Sequence, residues 1–114
     1  MSDVKLSYEI LEGSNILKVD GEVIFENSNR VKEKAKEIIK EIEAKKLIVD
    51  LSSTSYLDSS GIGVILSLFK FMRDNDGKLL IANPNEKVKR VFEVTKLNQI
   101  LDIYNDINKA IEVS

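Results

Sequence analysis

The sequence predicts a mixed α/β fold: a mostly parallel central sheet with an N-terminal hairpin and four helices, in the order β-β-α-β-α-β-α-β-α. Three observations carry this. Val4, Leu6, Tyr8 and Ile10 alternate with Lys5, Ser7 and Glu9, the period of two that puts one face of a strand on a core and the other in water. "LIVDL" at 47–51 and "KLLIA" at 78–82 are short apolar runs of the kind found mid-sheet, covered on both faces. Between and after them lie segments with helical spacing, and strands alternating with helices build parallel sheets through right-handed crossovers.

Taken in order, the alternation at 4–10 is followed by "EGSN" at 12–15, turn chemistry that joins it to a second strand, Ile16 to Val19, in a hairpin. Asp20-Gly21 then breaks that strand. From Ser28, an expected N-cap, Val31, Ala35, Ile38, Ile39 and Ile42 form one stripe of an amphipathic helix, with lysines and glutamates filling its outer face. After the strand 47–51 and a loop at 52–58, Ile62 to Met72 leaves almost no polar face for two turns, so that helix should be deeply buried. "RDNDG" ends it, and 78–82 is the next central strand. Asn83 is the expected cap and Pro84 the expected first residue of a helix that turns Val88, Val91 and Phe92 inward. A short strand around Ile100 to Ile103 and a last helix through Ile107, Ala110 and Ile111 complete the order. Asp20-Gly21, the loop 52–58 and Asn83-Pro84 should all emerge on one rim, where strand ends meet helix N-termini.

The 114 residues suffice for one domain, 1–114, with one apolar core. With 43% hydrophobic and 32% charged residues of mixed sign, the composition is that of a globular chain and not a disordered tail. A formal charge of −2 gives no electrostatic reason for nucleic-acid or anionic-membrane binding. Cysteine and histidine are both absent, which removes disulfides, Ser-His and Cys-His nucleophiles and the usual zinc sites. No metal or cofactor is expected. The N-terminal segment lacks the apolar stretch of a signal peptide and no run of eighteen apolar residues occurs, so a cytoplasmic location is the expectation.

The unusual chemistry is concentrated in "LDSSGIG", residues 57–63. One reading of Asp58-Ser59-Ser60-Gly61 is capping, in which a serine side chain accepts from the first-turn N–H groups and contributes about 0.5–2 kcal/mol. The other uses the same geometry: exposed N–H groups and the helix dipole favour an anion, so a phosphoryl group on a serine there would be well received. Gly61 and Gly63 each cost a helix on the order of 1 kcal/mol, which close packing on the helix's own sheet or the approach of another backbone would explain.

"LIVDLSSTSYLDSSGIGVIL" resembles the signature of the STAS domain in bacterial anti-sigma factor antagonists, and the likeness continues through "GKLLIANPNEKVKRVFEVTKLNQILDIYND". The resemblance implies that the serine after the aspartate, Ser59, is a phosphoacceptor, with Ser60 the alternative. Its kinase would be the anti-sigma factor itself, bound by the unphosphorylated domain and released on phosphorylation, and a serine phosphatase would restore the complex. Asp58, Ser60, Gly61, Gly63, Thr54, Ser55, Tyr56, Ile24 and Asn83 are the expected partner-binding residues of a monomeric regulator that is not an enzyme.

Two positions depart from the family pattern. Ile24 stands where an acid is common on the binding rim, a change that bears on the partner and on kinase recognition. Lys96 stands where glycine is frequent, at a helix C-terminus that calls for positive φ. Ile24 is the feature that favours an alternative, a STAS scaffold or sensor that is not phosphorylated. A receiver that phosphorylates Asp50 is a further alternative, but it needs an acidic pair after its first strand and begins β-α. A hydrolase or dinucleotide enzyme is disfavoured: Ser59 has no activating base, and "GIGVIL" lacks the third glycine of the fingerprint.

Overall fold

The computed structural model describes residues 4–113. The ends of the expected 1–114 unit, residues 1–3 and 114, lie outside the described residues. β1 (Lys5–Leu11) and β2 (Ser14–Val23) form the antiparallel hairpin, and α1 (Phe25–Ile42) leads to β3 (Lys46–Asp50). β4 (Thr54–Leu57), α2 (Ser59–Asp74), β5 (Lys78–Ala82) and α3 (Glu86–Val94) follow. A 3-10 turn (Leu97–Gln99), β6 (Asp102–Tyr104) and α4 (Ile107–Glu112) end the order. The sheet runs β1-β2-β3-β5-β6, parallel beyond the first pair.

Alternation along the central strands supplies two cores. Leu47 and Val49 of β3 and Leu79 and Ile81 of β5 face α1, α2 and α3, whose Val31, Ala35, Ile65, Leu68, Met72, Val88 and Phe92 close the main core. Ile48 and Leu80 point to the other face, with Ile16, Ala82 and Ala110 beneath the short α4. Each fully buried Leu, Ile or Phe contributes about 1.5–3 kcal/mol, so the doubly covered strands β3 and β5 anchor the fold.

Five expectations change. The segment 52–58 is not only a loop: Thr54–Leu57 pairs in parallel with the far half of β2, whose near half pairs with β3. β3 and β4 thus act as one interrupted strand along β2. At the interruption Asp50 Oδ1 accepts from Ser52 N–H at 2.9 Å, and the Leu51 carbonyl accepts from Thr54 N–H at 3.0 Å. Nor does Asp20-Gly21 end β2. The strand continues to Val23 through a register shift at Gly21, whose φ of 121° needs a residue without Cβ.

α1 begins at Phe25 and not after Ser28, because its first N–H groups are satisfied without a serine cap. Asn27 Oδ1 accepts from Ile24 N–H at 2.9 Å, half of a capping box. For α3 the cap is Asn85, accepting from Val88 N–H at 2.8 Å. Asn83 and Pro84 precede it, Asn83 in a left-handed conformation with φ 56°. β6 is displaced to 102–104, since Ile100 follows the 3-10 turn and is exposed. Lys96 has φ 63°, the conformation expected at the family's glycine, at a cost of about 1 kcal/mol for a residue with Cβ.

Candidate functional site

The rim is built where the C-terminal ends of β2, β4 and β5 hand over to α1, α2 and α3. Asp58 sits at its centre as the N-cap of α2, in extended conformation. Its Oδ1 accepts from Gly61 N–H at 3.0 Å, so the aspartate and not a serine caps this helix. Its Oδ2 accepts from Phe25 N–H, also at 3.0 Å, at the start of α1. One carboxylate therefore closes two helix N-termini, where both dipoles favour negative charge.

Gly61 lets the first turn of α2 come close to the end of β2. A Cβ there would lie 2.3 Å from the Val23 carbonyl oxygen and 3.1 Å from Leu57 Cδ2. Packing of α2 on its own sheet thus requires this glycine. Gly63 is exposed and a Cβ would meet nothing within 4 Å, so packing gives it no such reason.

With the cap supplied by Asp58, both serines are spared that task. Ser59 is the first residue of α2 and exposed, Ser60 is half-buried, and neither hydroxyl makes a hydrogen bond to a described residue. Beside Ser59 runs an open groove of about 300 Å³, lined by Tyr56, Leu57, Asp58, Ile62, Val91 and Thr95. Tyr56 and Ser55 are exposed, while Ile24 and Asn83 are half-buried at the rim.

Two expected contact residues are corrected. Thr54 is 1% exposed and its hydroxyl donates to the Val19 carbonyl at 2.7 Å, so its side chain belongs to the interior. Gly61 is buried against β2 and offers no surface to another backbone. Ile24 occupies the N-cap position of α1 without any acceptor of its own. An acid there would cap α1 directly; in its place Asn27 and Asp58 bind the first N–H groups.

Sequence reasoning missed Phe25, Asn85, Val91 and Thr95 at this rim. Asn85 Nδ2 donates to the Thr54 carbonyl at 3.0 Å, tying α3 to β4. Phe25 is 76% exposed. It lies six residues before Val31, roughly 120° off the buried stripe of α1, which is the signal that could have marked it. Asp50, the receiver alternative, is buried with an oxygen committed to Ser52 N–H, and β1 and β2 pair as an antiparallel hairpin. Among the described residues no group of three or more acidic side chains is placed to hold a metal ion.

The profile of the STAS domain matches residues 5–110. The chain belongs to the STAS domain family. Among its relatives is the anti-sigma F factor antagonist of Paenibacillus polymyxa, 27% identical over 112 residues that cover 97% of this chain and 96% of that protein. The anti-sigma-B factor antagonist of Listeria monocytogenes is 36% identical over 87 residues, 76% of this chain and 75% of the relative. The crystal structure of a proposed anti-sigma factor antagonist from Thermotoga maritima superposes with a TM-score of 0.83 at 31% identity, covering 94% and 92% of the two chains. No helix among the described residues is long and apolar enough to cross a membrane.

Proposed function

We propose that this STAS domain is an anti-sigma factor antagonist switched by phosphorylation of Ser59. The observation that carries the reading is the division of labour at the α2 N-terminus. Asp58 takes the capping role, and the neighbouring Ser59 hydroxyl is left exposed and uncommitted. The names of the relatives support the partner class, an anti-sigma factor.

In the unphosphorylated state the rim docks the anti-sigma factor and frees the sigma factor. The anti-sigma factor, acting as a serine kinase, lets Ser59 Oγ attack the γ-phosphorus of ATP. The bond to the ADP oxygen breaks as the serine proton passes to a base of the kinase. The product adds a charge of about −1.5 to −2 next to Asp58, and a dianion held against a docked protein is penalised by desolvation and by the adjacent carboxylate. Each 1.4 kcal/mol is a factor of about ten in affinity. A serine phosphatase reverses the step by hydrolysis. The chain acts in the cytoplasm as a monomeric substrate of the kinase and is not itself an enzyme.

Incubation with the anti-sigma factor kinase and Mg-ATP should add one phosphoryl mass, localised to Ser59 by fragmentation. Ser59→Ala should take up none and bind the kinase constitutively, and Ser59→Asp should bind at least tenfold more weakly. Full phosphorylation of Ser59→Ala would move the assignment to Ser60. Ile24, at the position of the common acid, favours a second reading, an unphosphorylated STAS scaffold or sensor. An unchanged mass, while a known substrate in the same tube is labelled, would decide for it.

A further inference from the structure

We infer that Phe25 is the anchor by which the serine kinase recognises this chain, its ring entering an apolar, aromatic-accepting pocket beside the kinase's nucleotide site. The inference rests on the reading that Ser59 is phosphorylated, and adds to it the residue that selects the partner.

Phe25 is the most exposed large apolar side chain among the described residues, at 76%. An aromatic ring left in water forgoes burial worth as much as any core side chain, so the position calls for something that covers it. What covers it follows from its attachment. The Phe25 N–H donates to Asp58 Oδ2, and Asp58 is the residue before Ser59. A protein that delivers a γ-phosphoryl group to Ser59 docks on the rim to which the Phe25 backbone is tied.

The ring is also presented on a fixed backbone. Asn27, 3% exposed, holds the preceding residue through Ile24 N–H and reaches back to the Glu22 carbonyl at 2.9 Å. Two side chains thus fix the backbone on which Phe25 stands, which lowers the entropy lost on binding. Past Ser59, Tyr56 is 38% exposed and Val94, beside the groove residue Thr95, is 74% exposed. The groove beside the serine therefore carries a partly exposed aromatic side chain of its own. At position 24, where the family commonly has an acid, stands an isoleucine. A partner that selects with a basic side chain finds no carboxylate there and forfeits its ion pair, whereas one with an apolar pocket is matched. Aromatic side chains at the centre of an interface are the residues that most often dominate its energy.

The test is steady-state phosphorylation by the purified anti-sigma factor kinase of the source organism at saturating Mg-ATP, with this chain as the varied substrate. Phe25→Ala should raise KM at least tenfold, with kcat within twofold, and Phe25→Leu should recover part of the loss. Ile10→Ala removes a side chain that is 65% exposed at the opposite end of the sheet and should leave KM unchanged. Melting curves of all three variants should overlay that of the parent. If the parent is phosphorylated at Ser59 and Phe25→Ala has the parental KM, the anchor is refuted while the phosphoacceptor stands. A kcat loss without a KM change would equally refute it. If the parent takes up no phosphate, the phosphoacceptor reading fails and the anchor falls with it.

Discussion

Asp58 should be worth more to this fold than an ordinary helix cap, because each of its oxygens serves a different helix. Asp58→Ala leaves Gly61 N–H and Phe25 N–H without their acceptor at two helix N-termini. Loss of one N-cap costs about 0.5–2 kcal/mol, and the second charge-assisted bond, although exposed, adds about 1 kcal/mol. The expected total is about 2 kcal/mol. The entropy of unfolding scales at about 2.1 cal/mol/K per residue, so for a chain of this length 1 kcal/mol is about 4 °C and the expected fall in Tm is about 8 °C. Asp58→Asn keeps one acceptor oxygen and turns an amide toward the other donor, so it should lose about half as much. Calorimetric melting of the two variants beside Ser59→Ala checks the argument, since the serine variant removes no hydrogen bond and should melt with the parent. An Asp58→Ala variant within 2 °C of the parent, on the scale just given, would refute the double cap.

The two glycines of α2 should respond in opposite directions. Gly61→Ala drives a Cβ to 2.3 Å from the Val23 carbonyl and should destabilise by about 1–3 kcal/mol in spite of better helix propensity. Gly63→Ala meets open space and should stabilise by about 1 kcal/mol, both read by urea denaturation. Lys46 should make stability rise with alkaline pH. Burial, and then the charge of Lys78, lower its pKa below the usual 10.5, so between the folded value and 10.5 the unfolded chain binds more protons and stability climbs with pH. The stability difference between the parent and Lys46→Met should therefore grow in the parent's favour as pH rises through that window. A pH-independent difference would show that the amine is not desolvated where it donates to the Ile111 and Val113 carbonyls.

What was legible in the sequence is what local periodicity encodes. β1, β3, β5 and the buried face of α2 follow from residues within a few positions of one another, whereas the left-handed Lys96 follows from the family resemblance, which has glycine there. β4 was not legible because "TSYL" has no apolar alternation of its own. It becomes a strand by pairing with β2, thirty-odd residues earlier, and Thr54 goes inside because the Val19 carbonyl accepts its hydroxyl. The start of α1 was hidden for a related reason. Half its capping comes from Asn27, within the helix, but the other half comes from Asp58, a partner no local window contains. Asn83 and Asn85 flank one proline, and choosing between them required knowing that Asn85 also reaches the Thr54 carbonyl. At the site, Asp58-Ser59 was readable as a motif, whereas the removal of Thr54 and Gly61 from the surface follows only from three-dimensional packing.

The double cap also bears on how a phosphoryl group would act. A helix N-terminus ordinarily draws an anion in, because free N–H groups await it. Here the N–H groups of Gly61 and Phe25 are already held by a carboxylate, and Ile62 N–H donates to the Asp58 carbonyl at 2.9 Å. A phosphoryl group on Ser59 could capture those donors only by displacing Asp58, whose own negative charge would then lie uncompensated beside it. An arrangement that keeps the cap leaves the dianion the N–H groups of Ser59 and Ser60 and the exposed side of the rim. There it confronts a docked protein with charge on a surface otherwise matched by apolar contact. On the proposed reading, release would need no change of fold: the rim that is complementary before phosphorylation would become repulsive after it, with the cap still in place.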